Sequence, residues 1–236
     1  MNILQPIKEN FSDEIALLTT IQTKFPSAII AGGAVRDLLL NRPRKDIDIF
    51  VHESDAEQSL LSASLLQDML KDHLPDQLPT SDLNPFMPKS QSMNMATQRR
   101  APIFRKCTSF TDDDIAANSV IVDVFGGTTS RNVDFDIIVT SCSPKTYVQE
   151  YFDIGLCKVF FDGKSWTCHS DFVDDYRNNT ITVCGAHMGA QEITRSVTGH
   201  AKRVQAKYPN LTIALSPRNQ KILDNAKPPT GLINPC

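Results

Sequence analysis

The chain has 236 residues, 41% of them hydrophobic, which suffices for one large domain or a domain with a smaller appendage. Its 24 Lys and Arg against 27 Asp and Glu give a formal charge of −3, excluding the global basic field that advertises nucleic acid. No apolar run approaches a membrane span and no charged-then-apolar signal segment opens the chain, so a soluble, cytoplasmic protein without membrane partners is expected.

In chain order, Ser12 is placed to cap a helix with Asp13 and Glu14 in its first turn and Ile15, Leu18, Ile21 and Phe25 as its apolar stripe. Pro26 lies just beyond its end. A short apolar run, Ala28 to Ala31, ends in Gly32-Gly33, and a helix-like segment follows from Ala34 to Leu40. A second apolar run carries Asp46 and Asp48. Past it, Ser54 and Glu57 form a capping box for a helix through Leu61, Leu65, Leu66, Met69 and Leu70 that ends near His73, with Pro75 as its stop. Residues 74 to 102 are rich in Pro, Ser, Gln and Asn without apolar periodicity and read as a long insertion. Its basic end, Arg99, Arg100, Arg105 and Lys106, suits phosphate contact or a solvated charge run equally well.

Two strands are expected next, Ser119 to Phe125 and Asn132 to Val139, joined by a turn-rich loop from Gly126 to Arg131. Ser143-Pro144 opens a short helix, and Asp162-Gly163 marks a hairpin between Lys158–Phe161 and Ser165–Cys168. Ser170 starts a helix ending at Asn178-Asn179; Ile181 to Val183 is a strand. A long helix from Ala190 to Lys207 places Ile193, Val197, Ala201 and Val204 on one side and Arg195, Lys202, Arg203 and Lys207 on others. From Lys227 on, the sequence reads as a loose tail. The order of elements implies an α/β (α+β) fold: a mixed sheet flanked by helices over residues 1–165, and a small C-terminal α/β extension over 166–226.

The six cysteines lack the dense spacing of a disulfide framework, so reduced thiols are expected. Cys168, His169, Cys184 and His187 have the right types for zinc, but their spacing departs from the common patterns and small core cysteines are the favoured reading.

The chemistry concentrates in residues 28 to 51. Residues i and i+2 of a strand share a face, so Asp46 and Asp48 lie side by side, and a divalent cation is the usual partner that makes such a pair tolerable. Gly32 and Gly33 remove side chains where the chain enters a helix N-terminus, letting backbone N–H groups approach an anion. The ordered set Gly32-Gly33-Ala34-Val35-Arg36-Asp37, spacer, Asp46-Ile47-Asp48 resembles the head-domain signature of polymerase-beta-type nucleotidyltransferases, in the branch of bacterial poly(A) polymerases and tRNA CCA-adding enzymes. The chain as a whole is also similar to nucleotidyltransferase-like proteins of bacteriophages.

That resemblance implies a palm domain, a nucleoside triphosphate and two-metal transfer of a nucleotidyl group with Mg²⁺ or Mn²⁺. Asp46 and Asp48 would hold the cations. A third carboxylate is implied on a neighbouring strand, with Asp136 first, Asp134 second and Asp123 a distant third. Gly32, Gly33, Arg36, Lys45 and Asp153 complete the nucleotide-binding set, with an internal salt bridge to Asp37 an equal alternative for Arg36. Phe152-Asp153-Ile154-Gly155 lacks the two arginines of the family's corresponding stretch, so the family's usual route to base selection is not expected. About seventy residues follow the palm, too few for the family's RNA-binding neck, body and tail. The acceptor implied is an RNA 3′ end of tRNA type; the alternatives are a protein or small-molecule hydroxyl, or a non-catalytic nucleotide-binding or inhibitor protein on the same fold.

Overall fold

A computed structural model describes residues 11–55, 63–74, 105–106, 120–131 and 133–226. The chain divides into two compact units, Met1–Tyr147 with Phe160–Thr167 and Val148–Val159 with Cys168–Cys236.

The first unit opens with α1, Ser12–Gln22. Its N-cap is Phe11 rather than Ser12, and no side chain caps it. Leu17, Leu18 and Ile21 are buried together with Glu14, whose carboxylate is matched by Arg44 at 2.6 Å. Burying a charge is tolerable only with such a partner. Ile15 is only half-buried, because Leu17 takes the core-facing place the sequence suggested for it. Next come β1 (Ile29–Ala31), α2 (Gly33–Leu39), β2 (Asp46–His52) and α3 (Ala63–Leu70). The capping box at Ser54 and Glu57 falls partly on residues outside the described set, as do residues 75–102 with Arg99 and Arg100, and the tail from Lys227.

Strands β3 (Arg105–Lys106), β4 (Ile121–Thr128), β5 (Asp134–Thr140), β6 (Val159–Phe161) and β7 (Trp166–Cys168) join β1 and β2 in a seven-stranded sheet of order β3-β4-β5-β2-β1-β6-β7. Within this sheet β2 and β5 run parallel, whereas β2 runs antiparallel to β1, and β5 to β4. The sheet is mixed and flanked by helices, as the sequence indicated. Ile47, Ile49, Phe135 and Ile137 are buried on the core face, while Asp46, Asp48, Asp134 and Asp136 alternate with them and retain exposure.

The hairpin differs from expectation. β4 runs on through Gly126 and Gly127 to Thr128 instead of turning there. The two glycines are strand residues that clear space for β5: a Cβ at Gly126 would stand 2.7 Å from Asp136 Oδ1, and one at Gly127 2.6 Å from Phe135 Cζ. The β6–β7 turn is held by Asp162, whose carboxylate accepts from the N–H groups of Lys164 and Ser165 and pairs with Lys145 at 3.0 Å. Burial works against the charge, but these bonds prevail and hold Asp162 at a pKa of about 2.

The second unit includes the second half of α4 (Pro144–Tyr151) and contains α5 (Ser170–Asn178), β8 (Thr180–Val183), α6 (Ala190–Arg195), α7 (Lys202–Lys207), β9 (Thr212–Leu215) and α8 (Pro217–Ala226). His169, not Ser170, caps α5, its side chain accepting from the Asp171 N–H. β8 and β9 form a two-stranded parallel sheet, and Ile154 bridges to Val183, which ties the stretch after α4 into this unit. Asp175, 2% exposed, staples α5 to β8 by accepting from Thr180 Oγ1 and from the backbone and hydroxyl of Thr182.

The expected continuous helix from 190 to 207 is broken by a π-helical segment, Ser196–Ala201. The wider turn rotates the following side chains, so Ser196 is buried while Val197 is only half-buried. Ile193, Ala201 and Val204 occupy the core as expected.

Candidate active site

β1 and β2 pair with Ala31 beside Asp48, so the Gly pair leaves β1 at the level of the two carboxylates. Gly32 has φ of +76° and ψ of −133°, a conformation that needs glycine, and α2 begins immediately after it. Arg36 on α2 is 4% exposed and donates to Asp37 from Nε at 2.7 Å and Nη2 at 2.6 Å. The internal salt bridge of the two alternatives is therefore present. Its guanidinium lies behind the turn, with Nη2 3.7 Å from where a Cβ at Gly33 would be. Lys45 is exposed immediately before Asp46.

β2 and β5 are in register: Asp46 pairs with Asp134 and Asp48 with Asp136. The parallel register gives each β5 acid a β2 acid as neighbour, because both strands carry carboxylates at the same two-residue spacing. Asp134 Oδ1 accepts from Thr128 Oγ1 at 2.7 Å, and Asp136 Oδ1 lies over Gly126. Asp123 faces its own strand, accepting from the Val124 N–H, and pairs with Val139 rather than with a carboxylate. Among the described residues no three His, Cys, Asp or Glu groups rest in an arrangement that could hold a metal ion. The chemistry of the donor set does suit a hard divalent cation, being oxygen-only and drawn from adjacent strands on one sheet face.

Asp153 belongs to the second unit. Its carboxylate accepts from Ser196 Oγ at 2.6 Å and His200 Nδ1 at 2.9 Å, both on the π-helical segment. Burial of His200 disfavours its charge, but the bond to Asp153 and then one to Cys157 outweigh it and lift the pKa to about 10. Asp153 is correspondingly lowered: burial opposes this, and the His200 and Ser196 bonds overcome it. Sequence reasoning missed this cluster; Ser196 and His200, polar residues around Gly199 in an otherwise regular pattern, were the available signal. Cys168, His169, Cys184 and His187 do not converge as a zinc set. His169 caps α5, His187 stacks on Tyr151 at 4.0 Å, and burial lifts the Cys184 thiol to about 12. The four described cysteines, Cys142, Cys157, Cys168 and Cys184, are free thiols.

Residues 3–179 match the family model described as Gabija anti-defense 2 family protein. The chain belongs to the Gabija anti-defense 2 family. No curated protein sequence matches this family member. Its fold is similar to that of a CCA-adding enzyme solved in complex with ATP, at a TM-score of 0.57 and 15% identity over 94% of this chain and 44% of that one. The Thermotoga maritima CCA-adding enzyme complexed with tRNA aligns at a TM-score of 0.50 and 16% identity, over 90% and 42% of the two chains. The Bacillus stearothermophilus CCA-adding enzyme in complex with CTP aligns at 0.50 and 14%, over the same shares. The family member thus has a nucleotidyltransferase-type fold and spans less than half the length of these enzymes. Among its described residues no helix is long and apolar enough to cross a membrane.

Proposed function

We propose that this protein is a divalent-cation-dependent nucleotidyltransferase that moves an NMP from an NTP to a hydroxyl acceptor, an RNA 3′ end of tRNA type being first choice, and that this activity counters Gabija defence in the host cytoplasm. The observation that carries the proposal is the register of β2 and β5, which sets Asp46 and Asp48 beside Asp134 and Asp136 at the level where Gly32-Gly33 leaves β1. Asp46, Asp48 and Asp136 would hold Mg²⁺ or Mn²⁺, with Asp134 as second choice for the third position. The cation, when bound, supplies charge neutralisation on the triphosphate and acidifies the attacking hydroxyl. The Gly32–Gly33 turn offers backbone N–H groups to phosphate oxygens, and Lys45 adds a mobile positive charge. Arg36, locked to Asp37, keeps the turn's geometry and contributes its field from behind. Asp153, engaged by Ser196 and His200, would meet a sugar only by sharing those bonds.

The test is incubation of the purified protein with each labelled NTP, Mg²⁺ and host lysate, then separate RNase and protease digestion of the labelled product. Label sensitive to RNase supports the RNA acceptor, and label sensitive only to protease moves the acceptor to a protein. Asp46→Asn/Asp48→Asn is expected to abolish both the label and protection of phage from Gabija. A second reading, a non-catalytic inhibitor, is favoured by the family match, whose description names an anti-defense role and no reaction. It would be supported if the double variant still protected phage.

A further inference from the structure

Between Glu192 and Asp224 the chain has no acidic residue, yet six of its 24 Lys and Arg fall there, in a protein of net charge −3. This stretch holds the end of α6, the π-helical segment, α7, β9 and most of α8. β8 and β9 run parallel, so the helical run from Ala190 to Lys207 is the crossover between them. α8 follows β9 and packs on both β9 and α6, which puts the helices in one layer on the small sheet. Val204 on α7 and Asn219 on α8, 3% and 0% exposed, mark the inner side of that layer. At about 100° per residue, a position two away lies nearly opposite, which points Lys202 and Lys221 outward. Arg203 and Arg218 flank them, and all four are exposed.

Lys202 and Arg218 bond to neutral groups, which leave their charge in place. Lys202 Nζ donates to Gln205 Oε1 at 3.5 Å, and Arg218 Nη1 to Met188 O at 3.4 Å and Asn219 Oδ1 at 3.1 Å. Arg203 extends back along the helix, with Nη1 3.7 Å from where a Cβ at Gly199 would stand. His200, by contrast, is matched by Asp153 and adds no net charge. The tyrosine of the stretch, Tyr208, is 7% exposed and offers no face on which an unpaired base could stack. Cations without a stacking platform suit the backbone of a double helix. We propose that the outer side of this helical layer binds the phosphate backbone of double-helical RNA. The choice of RNA as occupant rests on the proposed RNA acceptor. Each cation displaces counterions condensed on the phosphates, and their release drives binding that weakens steeply with salt.

The test is fluorescence anisotropy of the full chain with a labelled RNA duplex, in EDTA and without NTP, so that binding is read apart from transfer. The wild type is expected to bind with a log K that falls by about 3–4 per tenfold rise in KCl, near the slope of about 0.9 per neutralised phosphate of a duplex. Lys202→Gln/Arg203→Gln/Lys221→Gln, shown by circular dichroism and Tm to be folded, is expected to reduce that slope by about 2–3 and the affinity near 100 mM KCl by about tenfold or more. Should the triple variant not fold, Lys202→Gln and Lys221→Gln alone are each expected to reduce the slope by about 1. An unchanged slope in the folded variants, or a wild type that does not bind, would overturn the proposal. So would poly-glutamate that displaces the label as well as unlabelled RNA duplex at equal charge, which would give the face to an acidic protein. A DNA duplex bound more tightly than the RNA would likewise overturn it. Salt-dependent RNA binding that the triple variant loses, in a protein that transfers no NMP, upholds the face and removes the transferase reading alone.

Discussion

His200 shows how a single side chain sets a pH dependence for its unit. Its folded pKa of about 10 exceeds the ordinary 6.5, so the folded chain retains a proton that the unfolded chain releases. The stability it contributes is complete below pH 6.5 and is lost as pH rises through about 10. Cys184, raised to about 12, adds a further loss above its ordinary 9.0, so the window from 6.5 to 9 belongs to His200. Asp153 acts at the other limit: its pKa is lowered, so its contribution is present above 3.8 and lost in acid. Thermal unfolding between pH 6.5 and 9 is expected to show a declining Tm that flattens in His200→Gln; an unchanged slope in that variant would assign the decline elsewhere. Gly127 supplies a steric counterpart. An alanine there must displace the Phe135 ring, which is 1% exposed, and should cost about 1–3 kcal/mol of stability by denaturant titration.

At the scale of elements, strands with alternating acids and aliphatics were readable: β2 and β5 lie within a residue or two of where their patterns put them. Glycine misled the reading of β4, because a Gly pair signals a turn when nothing in the sequence tells what packs against it. Thr212–Leu215 is too short to stand out as a strand, whereas Ser216-Pro217 before α8 offered a start signal, and Ser216 Oγ does accept from the Asn219 N–H at 3.3 Å. For the site, the Gly pair and both β2 acids were legible; the pairing of β5 acids with them was not, since register between distant strands is a tertiary property. The π-helical segment was equally hidden, as one extra residue in a turn leaves the composition unchanged. Deleting Val197 is expected to restore α-helical winding and carry His200 away from Asp153. NMR titration of that ring should then move from about 10 toward 6.5. A ring still titrating near 10 would refute the π-helical account of the cluster.

Across the whole molecule, the family match stops at residue 179, while the ordered fold continues to Ala226. The remainder is not an optional appendage. Ile154 bridges to Val183, and Asp175 depends on Thr180 and Thr182 for its bonds. A chain ending at Asn179 would leave Asp175 buried without those partners and expose Ile154, Leu156 and Phe172, all core residues. Such a truncation is expected to yield insoluble protein or a soluble form without near-ultraviolet circular dichroism; a soluble product with native signal would show that the C-terminal segment is dispensable.

The parallel union of β2 with β5 carries a kinetic consequence. It joins a strand near position 48 to one near position 136, so no local contact can assemble the carboxylate rows. They form only once a large chain loop has closed, a non-local contact of the kind that slows folding. The entropy of closing such a loop grows only logarithmically, by about 0.6 kcal/mol per doubling of length. Length changes in the segments that join α3, β3 and β4 would therefore add little to the closure cost, provided those elements keep their places.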